Sequence, residues 1–428
     1  MLLVWAGCGG DDPADVVEDD PCLSAQVSYP EPGLQDGTRN VHDPEAVREA
    51  GYYYVFSTND GVPIRRSTDL VHWTLLGRVF PNQLPSWGAG AIPGVEAPWA
   101  PALAFFNGRY HLYYSLSTFG SARSAIGLTT NSTLDPGAPG YAWTDRGKVL
   151  ESFSNSGYNA IDPAVVEDAE GGLWLAWGSW WDGIKMRALD RQTGLLSTAN
   201  TNTYSLARRP VEQSIEGAYL VRRGQYFYLF VSFDLCCRGV QSTYNVRVGR
   251  AATVTGPYLD RDGVAMLNGG GSLVLDGYGR VRGPGHASVL ALGGEHLLVH
   301  HYYDSGDNGT SHLQVRPLVW DDTGWPMAGE EYDGTAPGPP PAGANLAGRW
   351  GYWPSGEAPR SVELLAGGVA RACDRTGAWS FNSPTLMIDW PAAAGSGART
   401  DRSTVSASAG SLAGRTSDNR IVRGYRLP

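Results

Sequence analysis

The amino-acid sequence predicts an all-β protein, a five-bladed β-propeller followed by a small C-terminal β-barrel-like domain. Three observations lead to this fold class. Gly and Pro account for 56 and 28 of the 428 residues, so turns are frequent. Aromatic residues are abundant between the turns, with 15 Trp and 21 Tyr. An aromatic-rich motif also recurs five times along the chain. Helix bundles and coiled coils are excluded, because their composition is rich in Ala, Glu, Lys and Leu.

Each repeat consists of a glycine and an apolar, aromatic-rich run that is typical of a short strand. A second short run of alternating character follows 12 to 22 residues after each glycine. Five repeats of three to four antiparallel strands indicate a five-bladed propeller, which we assign to residues 31–332. The repeat glycines are Gly51, Gly108, Gly172, Gly224 and Gly294.

The C-terminal part of the sequence differs from the repeats. Residues 333–345 are rich in Pro and Gly and are predicted to form a linker. Residues 346–428 contain strand-like runs separated by Gly and Ser, with no segment of helical periodicity. We therefore expect an accessory β domain there.

The N-terminal residues 1–30 resemble a leader followed by an acidic tether. The apolar start ends in Ala6-Gly7-Cys8, as in bacterial lipoprotein signals, and Asp-rich residues follow. This resemblance predicts an exported protein, extracellular or at the cell surface, with a lipid anchor at Cys8. A disordered N-terminal tail is the alternative. No run approaches the roughly 18 apolar residues of a membrane-spanning helix.

The cysteines are too few for a disulfide-rich scaffold, since there are only 5. Cys236 and Cys237 are adjacent and predict a vicinal disulfide in an oxidising compartment. Cys22 and Cys373 are then left either as a long-range disulfide or as two free buried thiols.

The charge balance narrows the class of ligand. Charged residues make up 18% of the chain, and the formal net charge is −10. An acidic protein has no electrostatic reason to bind nucleic acid or an anionic membrane. A neutral ligand suits the abundance of Trp and Tyr better, and sugars are neutral ligands that stack on aromatic faces.

Residues at a nearly constant distance before each repeat glycine indicate a candidate site. In a propeller the first strand of each blade lines the central axis, so residues at one offset meet around a channel. The residues 8 to 10 positions before the repeat glycines are Asp43, Ala100, Asp162, Glu216 and His286. Three carboxylates around one channel raise each other's pKa, which structural proteins avoid. Glycosidases need two such groups, one as acid and one as base or nucleophile.

Each candidate also has a structural explanation. Asp-Pro pairs at 43–44 and 162–163 are typical of turns. Trp99, Phe119 and Trp181 are positioned to stack on sugar rings, but aromatic residues also pack between blades. Asn159 and Ser179 are candidates to bind sugar hydroxyls, or to cap turns. His286 alone is a poor metal ligand, so water would have to complete the coordination shell.

Other catalytic motifs are missing. The Gly269-Gly270-Gly271 run lacks the Lys and the following helix of a phosphate-binding loop. No Gly-x-Ser-x-Gly or Cys-x-x-Cys sequence occurs, which excludes the α/β-hydrolase and zinc-ribbon interpretations.

Taken together, several motifs resemble glycoside hydrolase family 43, and within it the endo-1,5-α-L-arabinanases most. The similarity extends in order over residues 35–330. The motifs include Val41-His42-Asp43-Pro44, Trp99-Ala100-Pro101, Asn159-Ala160-Ile161-Asp162-Pro163, Ile215-Glu216-Gly217-Ala218 and the segment 233–244 with its Cys-Cys pair. One departure is Gly217-Ala218, where the family often has Pro.

The resemblance implies an inverting mechanism on a five-bladed propeller. Asp43 would be the general base that activates water, and Glu216 would be the general acid. Asp162 would orient that acid and keep it protonated. His286 would lie beside Ca²⁺ or a similar ion, held mainly through water at the propeller axis. Inversion requires the Asp43 and Glu216 carboxyls to lie about 6.5 to 9.5 Å apart.

The resemblance also implies substrate contacts and a substrate. Trp99, Ala100 and Phe119 would line subsites, and Asn159 and Ser179 would contact the sugar near the cleavage point. We expect a monomeric enzyme that cleaves internal α-1,5-arabinofuranosidic bonds of arabinan. The alternatives are an exo-acting α-L-arabinofuranosidase or β-xylosidase of the same family, and a non-catalytic sugar-binding propeller.

Overall fold

The computed structural model describes residues 27–33, 36–393 and 396–428. It confirms the predicted fold class: five four-stranded antiparallel sheets and a closed eight-stranded barrel. The predictions for Cys8 and Cys22 lie outside the described residues. None of the helices among the described residues has the length and apolar character needed to cross a membrane.

Each sheet is one blade, with its four strands in chain order from the axis outward. Blade 1 contains β1 (Glu45–Glu49), β2 (Tyr52–Phe56), β3 (Pro63–Ser67) and β4 (Thr74–Arg78). Blade 2 contains β5 (Trp99–Phe106), β6 (Arg109–Leu116), β7 (Ser124–Asn131) and β8 (Thr144–Ser152). Blade 3 contains β9 (Ala164–Glu167), β10 (Leu173–Trp177), β11 (Ile184–Leu189) and β12 (Tyr204–Ala207). Blade 4 contains β13 (Ile215–Arg223), β14 (Tyr226–Phe233), β15 (Asn245–Ala251) and β16 (Ser272–Leu275). Blade 5 contains β17 (Val281–Leu292), β18 (Glu295–Asp304), β19 (Thr310–Trp320) and β20 (Pro326–Ala328).

Helical structure in the described residues is limited to short turns in the loops. They are one α-helical turn, Gly88–Ala91, and three 3₁₀ turns, Gly239–Gln241, Met266–Asn268 and Ser305–Asp307.

The core of the propeller lies between the blades. The first strands β1, β5, β9, β13 and β17 contact one another in turn around the axis. Five hydrophobic clusters each combine residues of two neighbouring blades. The second strands are therefore covered on both faces, which explains why their sequences are almost continuously apolar and aromatic instead of alternating.

The ring closes through the N-terminal segment of the propeller. The Asn40 amide donates to the Ser311 carbonyl at 2.8 Å, and the Leu313 amide donates to the Thr38 carbonyl at 3.0 Å. The chain just before blade 1 thus pairs with the third strand of blade 5. This pairing fixes Asp43, which lies two residues before β1, relative to β18 and β19.

The C-terminal barrel packs against blades 4 and 5. Its strands are β21 (Gly348–Pro354), β22 (Arg360–Leu365), β23 (Val369–Ala372), β24 (Arg375–Asn382), β25 (Thr385–Trp390), β26 (Arg399–Val405), β27 (Ser411–Thr416) and β28 (Ile421–Arg426). The buried Arg423 pairs with Asp276 at 3.0 Å. Tyr29 packs between Tyr278 and Trp353, so the end of the predicted tether is part of this interface.

The adjacent cysteines confirm one predicted disulfide, Cys236–Cys237. Cys373 is also disulfide-bonded. The pairing of Cys22 stays a prediction.

Candidate active site

One residue near the start of the inner strand of every blade adopts a left-handed backbone conformation. The φ angles are 50° at Asp43, 44° at Ala100, 57° at Asp162, 60° at Gly217 and 46° at His286. Left-handed backbone costs an L-residue about 1–2 kcal/mol, and such strain is concentrated at functional sites. In blade 4 the position belongs to Gly217 and not to Glu216. The predicted register therefore differs by one residue there.

A polar side chain at the end of a second strand accepts a hydrogen bond from this backbone amide in four of the blades. Each of these side chains lies seven or eight residues after a repeat glycine. The pairs are Thr58 with Ala100 at 2.8 Å, Ser115 with Asp162 at 3.0 Å, Ser232 with His286 at 2.7 Å and His301 with Asp43 at 3.1 Å.

Blade 4 breaks this pattern at the glutamate. The Gly217 amide donates instead to Oδ2 of Asp162 at 3.0 Å. The hydroxyl in the corresponding position, Ser179, donates to Oε2 of Glu216 at 2.5 Å. A Cβ on Gly217 would lie only 3.2 Å from the backbone and ring of His286, so a larger residue there would force His286 to shift.

Asp43 is held as a carboxylate. Its Oδ1 lies 2.8 Å from Nδ1 of His42 and 3.0 Å from Nδ1 of His286. Its Oδ2 accepts a 2.5 Å hydrogen bond from Thr58. Burial opposes ionisation, but His286 and His42 outweigh it and hold the pKa of Asp43 well below its usual range. Asp43 is thus available to accept a proton.

Asp162 and Glu216 form a buried pair of carboxyl groups. Burial raises the pKa of Asp162 to about 7; His286 opposes the shift, and the nearby Glu216 and Asp43 carboxylates add to it. Two like charges in one buried site are unfavourable, so the pair retains a proton close to neutral pH. Tyr244 donates to Oε1 of Glu216. Burial and the Glu216 carboxylate raise the pKa of Tyr244 well above its usual value, so this phenol keeps its proton.

His286 carries the positive charge of the site. Burial disfavours its imidazolium form, but Asp43 and Asp162 outweigh burial and raise the pKa of His286 to about 9. Within the part of the chain that the structure describes, the three potential ligands that lie within 4.8 Å of one another are His42, Asp43 and His301, without His286. A cation at His286 would therefore depend on one ring nitrogen, Nε2, and on water. This donor set fits only an ion that keeps most of its hydration shell.

The predicted substrate-binding residues lie at several depths. Phe119 is the most exposed, at 83%, in the loop that follows β6. Trp99 is half-buried at the start of β5, next to the buried Ala100. Asn159 is buried, and its Oδ1 accepts a hydrogen bond from Ser124 at 2.6 Å. Ser179 is buried against Glu216.

Sequence reasoning missed several side chains that hold the carboxylates. Thr58, His301 and Tyr244 are examples, and His42 was quoted only as a neighbour of Asp43. A signal was present in the repeats, because Thr58 and His301 lie at the ends of the aromatic runs, in the position that Ser115, Ser179 and Ser232 occupy. Tyr244 has no counterpart in the pattern, and its contact with Glu216 depends on the fold of blade 4.

The arrangement combines a base and an acid in one buried site. Asp43 is ionised by its histidine and hydroxyl partners, while the Asp162–Glu216 pair retains a proton. Groups with such opposed proton affinities are what general acid–base hydrolysis of a glycosidic bond requires.

Comparisons with known proteins agree with this chemistry. The sequence profile of Glycosyl hydrolases family 43 matches residues 37–326. The chain is 40% identical over 303 residues to the extracellular exo-α-(1→5)-L-arabinofuranosidase of Cellvibrio japonicus, covering 68% of this chain and 87% of that protein. It is 39% identical over 292 residues to the extracellular endo-α-(1→5)-L-arabinanase 1 of Bacillus subtilis, covering 67% and 87%.

A solved structure shares the whole two-part architecture. The endo-1,5-α-L-arabinanase of Thermotoga petrophila superposes with a TM-score of 0.79 at 23% identity, covering 92% of this chain and 100% of that one. At this identity the match shows the fold, including the C-terminal barrel. With the profile match over most of the chain, the buried acid–base site and relatives near 40% identity, the chain belongs to glycosyl hydrolase family 43 and is a glycosidase.

Proposed function

We propose that the protein hydrolyses internal α-1,5-arabinofuranosidic bonds of arabinan with inversion at the anomeric carbon. The observation that carries this proposal is the opposed proton affinity of two groups at the propeller axis, ionised Asp43 and the protonated Asp162–Glu216 pair. The names of the relatives from Bacillus subtilis and Cellvibrio japonicus support the substrate.

In this mechanism Asp43 accepts a proton from the attacking water. Thr58 and His42 hold its two oxygens, so the carboxylate keeps one orientation while the water approaches. Glu216 donates a proton to the leaving oxygen, oriented by Ser179 and Tyr244. Asp162 keeps the pair protonated and is itself anchored by the Gly217 amide. Acid–base assistance of this kind contributes about 10²–10⁴-fold to rate.

Exposed aromatic residues at this end of the propeller supply the sugar-binding surface in the proposal. Phe119 is joined by Trp180 and Trp181, which follow Ser179 directly and are 36% and 39% exposed. Both tryptophans have left-handed backbone, with φ of 55° and 43°. Strain at two successive bulky residues is costly, which favours a functional reason for their placement. Trp99, Ala100 and Asn159 would complete the subsite walls.

We further propose that His286 holds Ca²⁺, or a similar ion, mainly through water. The ion would supply positive charge near the carboxylates, as the His286 imidazolium does in its absence. We also propose that the protein is exported, that it carries a lipid anchor at Cys8 and that it is a monomer. The word extracellular in the names of both relatives supports export.

The two relatives differ in whether they are named as cleaving inside the chain or from its end. The relative from Cellvibrio japonicus is named as exo-acting and the one from Bacillus subtilis as endo-acting, at nearly equal identity. An exo-acting α-L-arabinofuranosidase is therefore the second candidate.

Product sizing on linear arabinan tests the proposal. An endo enzyme lowers the viscosity early and releases a range of oligosaccharides, whereas an exo enzyme releases one short product from chain ends. Glu216→Gln and Asp43→Asn should each abolish turnover. A non-catalytic sugar-binding propeller would show binding of arabinan by the wild type and no turnover. Proton NMR of the first-formed anomer tests inversion, and net retention would contradict it.

A further inference from the structure

The Cys236–Cys237 turn has no part in the mechanism described above, yet it lies beside the catalytic base. The two cysteines follow β14 and are joined by a disulfide. Cys237 is exposed and has left-handed backbone, with φ of 64°. Its backbone amide donates a hydrogen bond of 2.8 Å to the hydroxyl of Tyr303 at the end of β18.

Tyr303 connects this turn to a histidine. Its hydroxyl lies 2.7 Å from Nε2 of His42, and Nδ1 of His42 lies 2.8 Å from Oδ1 of Asp43. A neutral His42 that accepts from Tyr303 through Nε2 carries its proton on Nδ1, directed at Asp43. A charged His42 donates from both nitrogens. In either state His42 donates to Asp43, provided that Tyr303 keeps the ring in this orientation.

The orientation of the His42 ring is also restricted by His301. Its ring stacks on that of His301, with ring centroids 3.8 Å apart and planes inclined by 23°. His301 is fully buried and accepts the Asp43 amide through Nδ1 at 3.1 Å. Stacking fixes the plane of the His42 ring but still allows a 180° flip about the Cβ–Cγ bond, which would put carbon atoms in the places of Nδ1 and Nε2. The hydrogen bond between Tyr303 and Nε2 opposes this flip.

We propose that the Cys236–Cys237 turn is a positioning element for the catalytic base, acting through Tyr303 and His42 on Asp43. The disulfide restricts the turn, so the Cys237 amide keeps one direction without a loss of entropy in each catalytic cycle. The bonds connect residues of blades 4, 5 and 1, so the base is held by contacts across three blades. This inference rests on the proposed role of Asp43 as the base.

Tyr303→Phe and the double variant Cys236→Ser/Cys237→Ser test the inference. On linear α-1,5-arabino-oligosaccharides we expect kcat to fall about 10- to 100-fold, because a misplacement of about 1 Å in a reacting group has that effect, with KM within about two-fold of wild type. The matched control is Val240→Ala in the same loop, which should keep wild-type kcat. Wild type treated with a reductant under native conditions should match the double variant. The double variant should not respond to reductant, which separates this disulfide from that of Cys373.

A second measurement does not depend on turnover. In protein labelled with ¹⁵N-histidine, the ring signals of His42, assigned with a His42→Gln variant, should change in Tyr303→Phe and in the double variant. Wild-type kcat in both variants, a change in KM alone, or unchanged His42 signals would overturn the inference. If the double variant fails to fold, Tyr303→Phe alone decides. If the wild type does not cleave arabinan, the proposed function fails, while the His42 signals still test the hydrogen-bonded chain.

Discussion

The hydroxyl of Ser179 donates a hydrogen bond of 2.5 Å to Oε2 of Glu216. In four of the blades the corresponding side chain instead accepts a hydrogen bond from a backbone amide. The fivefold pattern of the propeller is therefore broken at one place, and that place is the proposed general acid. The Gly217 amide, released from this pattern, binds Asp162. One local change thus fixes two carboxyl groups.

Ser179→Ala should lower kcat about 2- to 10-fold with little change in KM, because a hydrogen bond that orients the acid contributes about 0.5–1.5 kcal/mol. Steady-state kinetics on linear arabino-oligosaccharides measures the effect. Ser67→Ala is the control: it removes another buried hydroxyl, which accepts hydrogen bonds from the Asp69 and Leu70 amides at the end of β3. Equal losses of kcat in the two variants would show that Ser179 has no special role.

Asp162→Asn should move the basic limb of the kcat/KM profile to lower pH. Burial and the like charge of Glu216 raise the pKa of Asp162 to about 7, so the wild-type pair loses its last proton near neutrality. Without the second carboxyl, that repulsion is gone and the proton is lost at lower pH. The acidic limb should stay well below pH 4 in both proteins, because His286 and His42 outweigh burial and hold the pKa of Asp43 low. A basic limb that does not move in the variant would contradict the shared-proton explanation.

The blades and most of the site could be predicted because a propeller repeats its own geometry. The offset from the repeat glycines located Asp43, Asp162 and His286 at structurally equivalent positions. Glu216 was located one residue away from the equivalent position. The reason is the position of the repeat glycine in the hairpin turn: Gly224 is the first of the two turn residues in blade 4, whereas Gly51, Gly108 and Gly294 are the second in their blades.

Contacts between distant blades could not be predicted in the same way. His42 and Tyr303 are 261 positions apart in sequence, and they meet because the ring of blades closes. The short repeat carries information on what each blade contributes to the axis. It carries none on how a loop from blade 4 reaches a side chain of blade 5, because that depends on loop conformations.

Removal of metal ions with EDTA should show whether the positive charge at His286 comes from a bound cation or from the imidazolium itself. If an ion is held there, EDTA should lower kcat and added Ca²⁺ should restore it, while His286→Ala should be insensitive to both. A metal ion has to displace the proton of His286, whose pKa is raised to about 9 by Asp43 and Asp162 against the effect of burial. Ca²⁺ affinity, measured by calorimetry, should therefore increase from pH 6 to pH 9. Full activity of the wild type in EDTA would assign the charge to the imidazolium alone.

Glu45→Gln should stabilise the folded protein at alkaline pH. Glu45 is buried on β1, where its Oε1 accepts the Leu103 amide at 3.3 Å, and burial raises its pKa from 4.5 to about 8. Because the folded state holds this proton more tightly than the unfolded chain, the stability that the protonated carboxyl contributes is complete below pH 4.5. It is lost as the pH rises towards 8. The glutamine variant does not titrate. The difference in the free energy of unfolding between variant and wild type should therefore be about 2–4 kcal/mol larger at pH 8 than at pH 4.5. Urea unfolding at several pH values measures this difference, with the exposed Glu295→Gln on β18 as the control. A constant difference between variant and wild type across this range would show that Glu45 does not titrate as its burial requires.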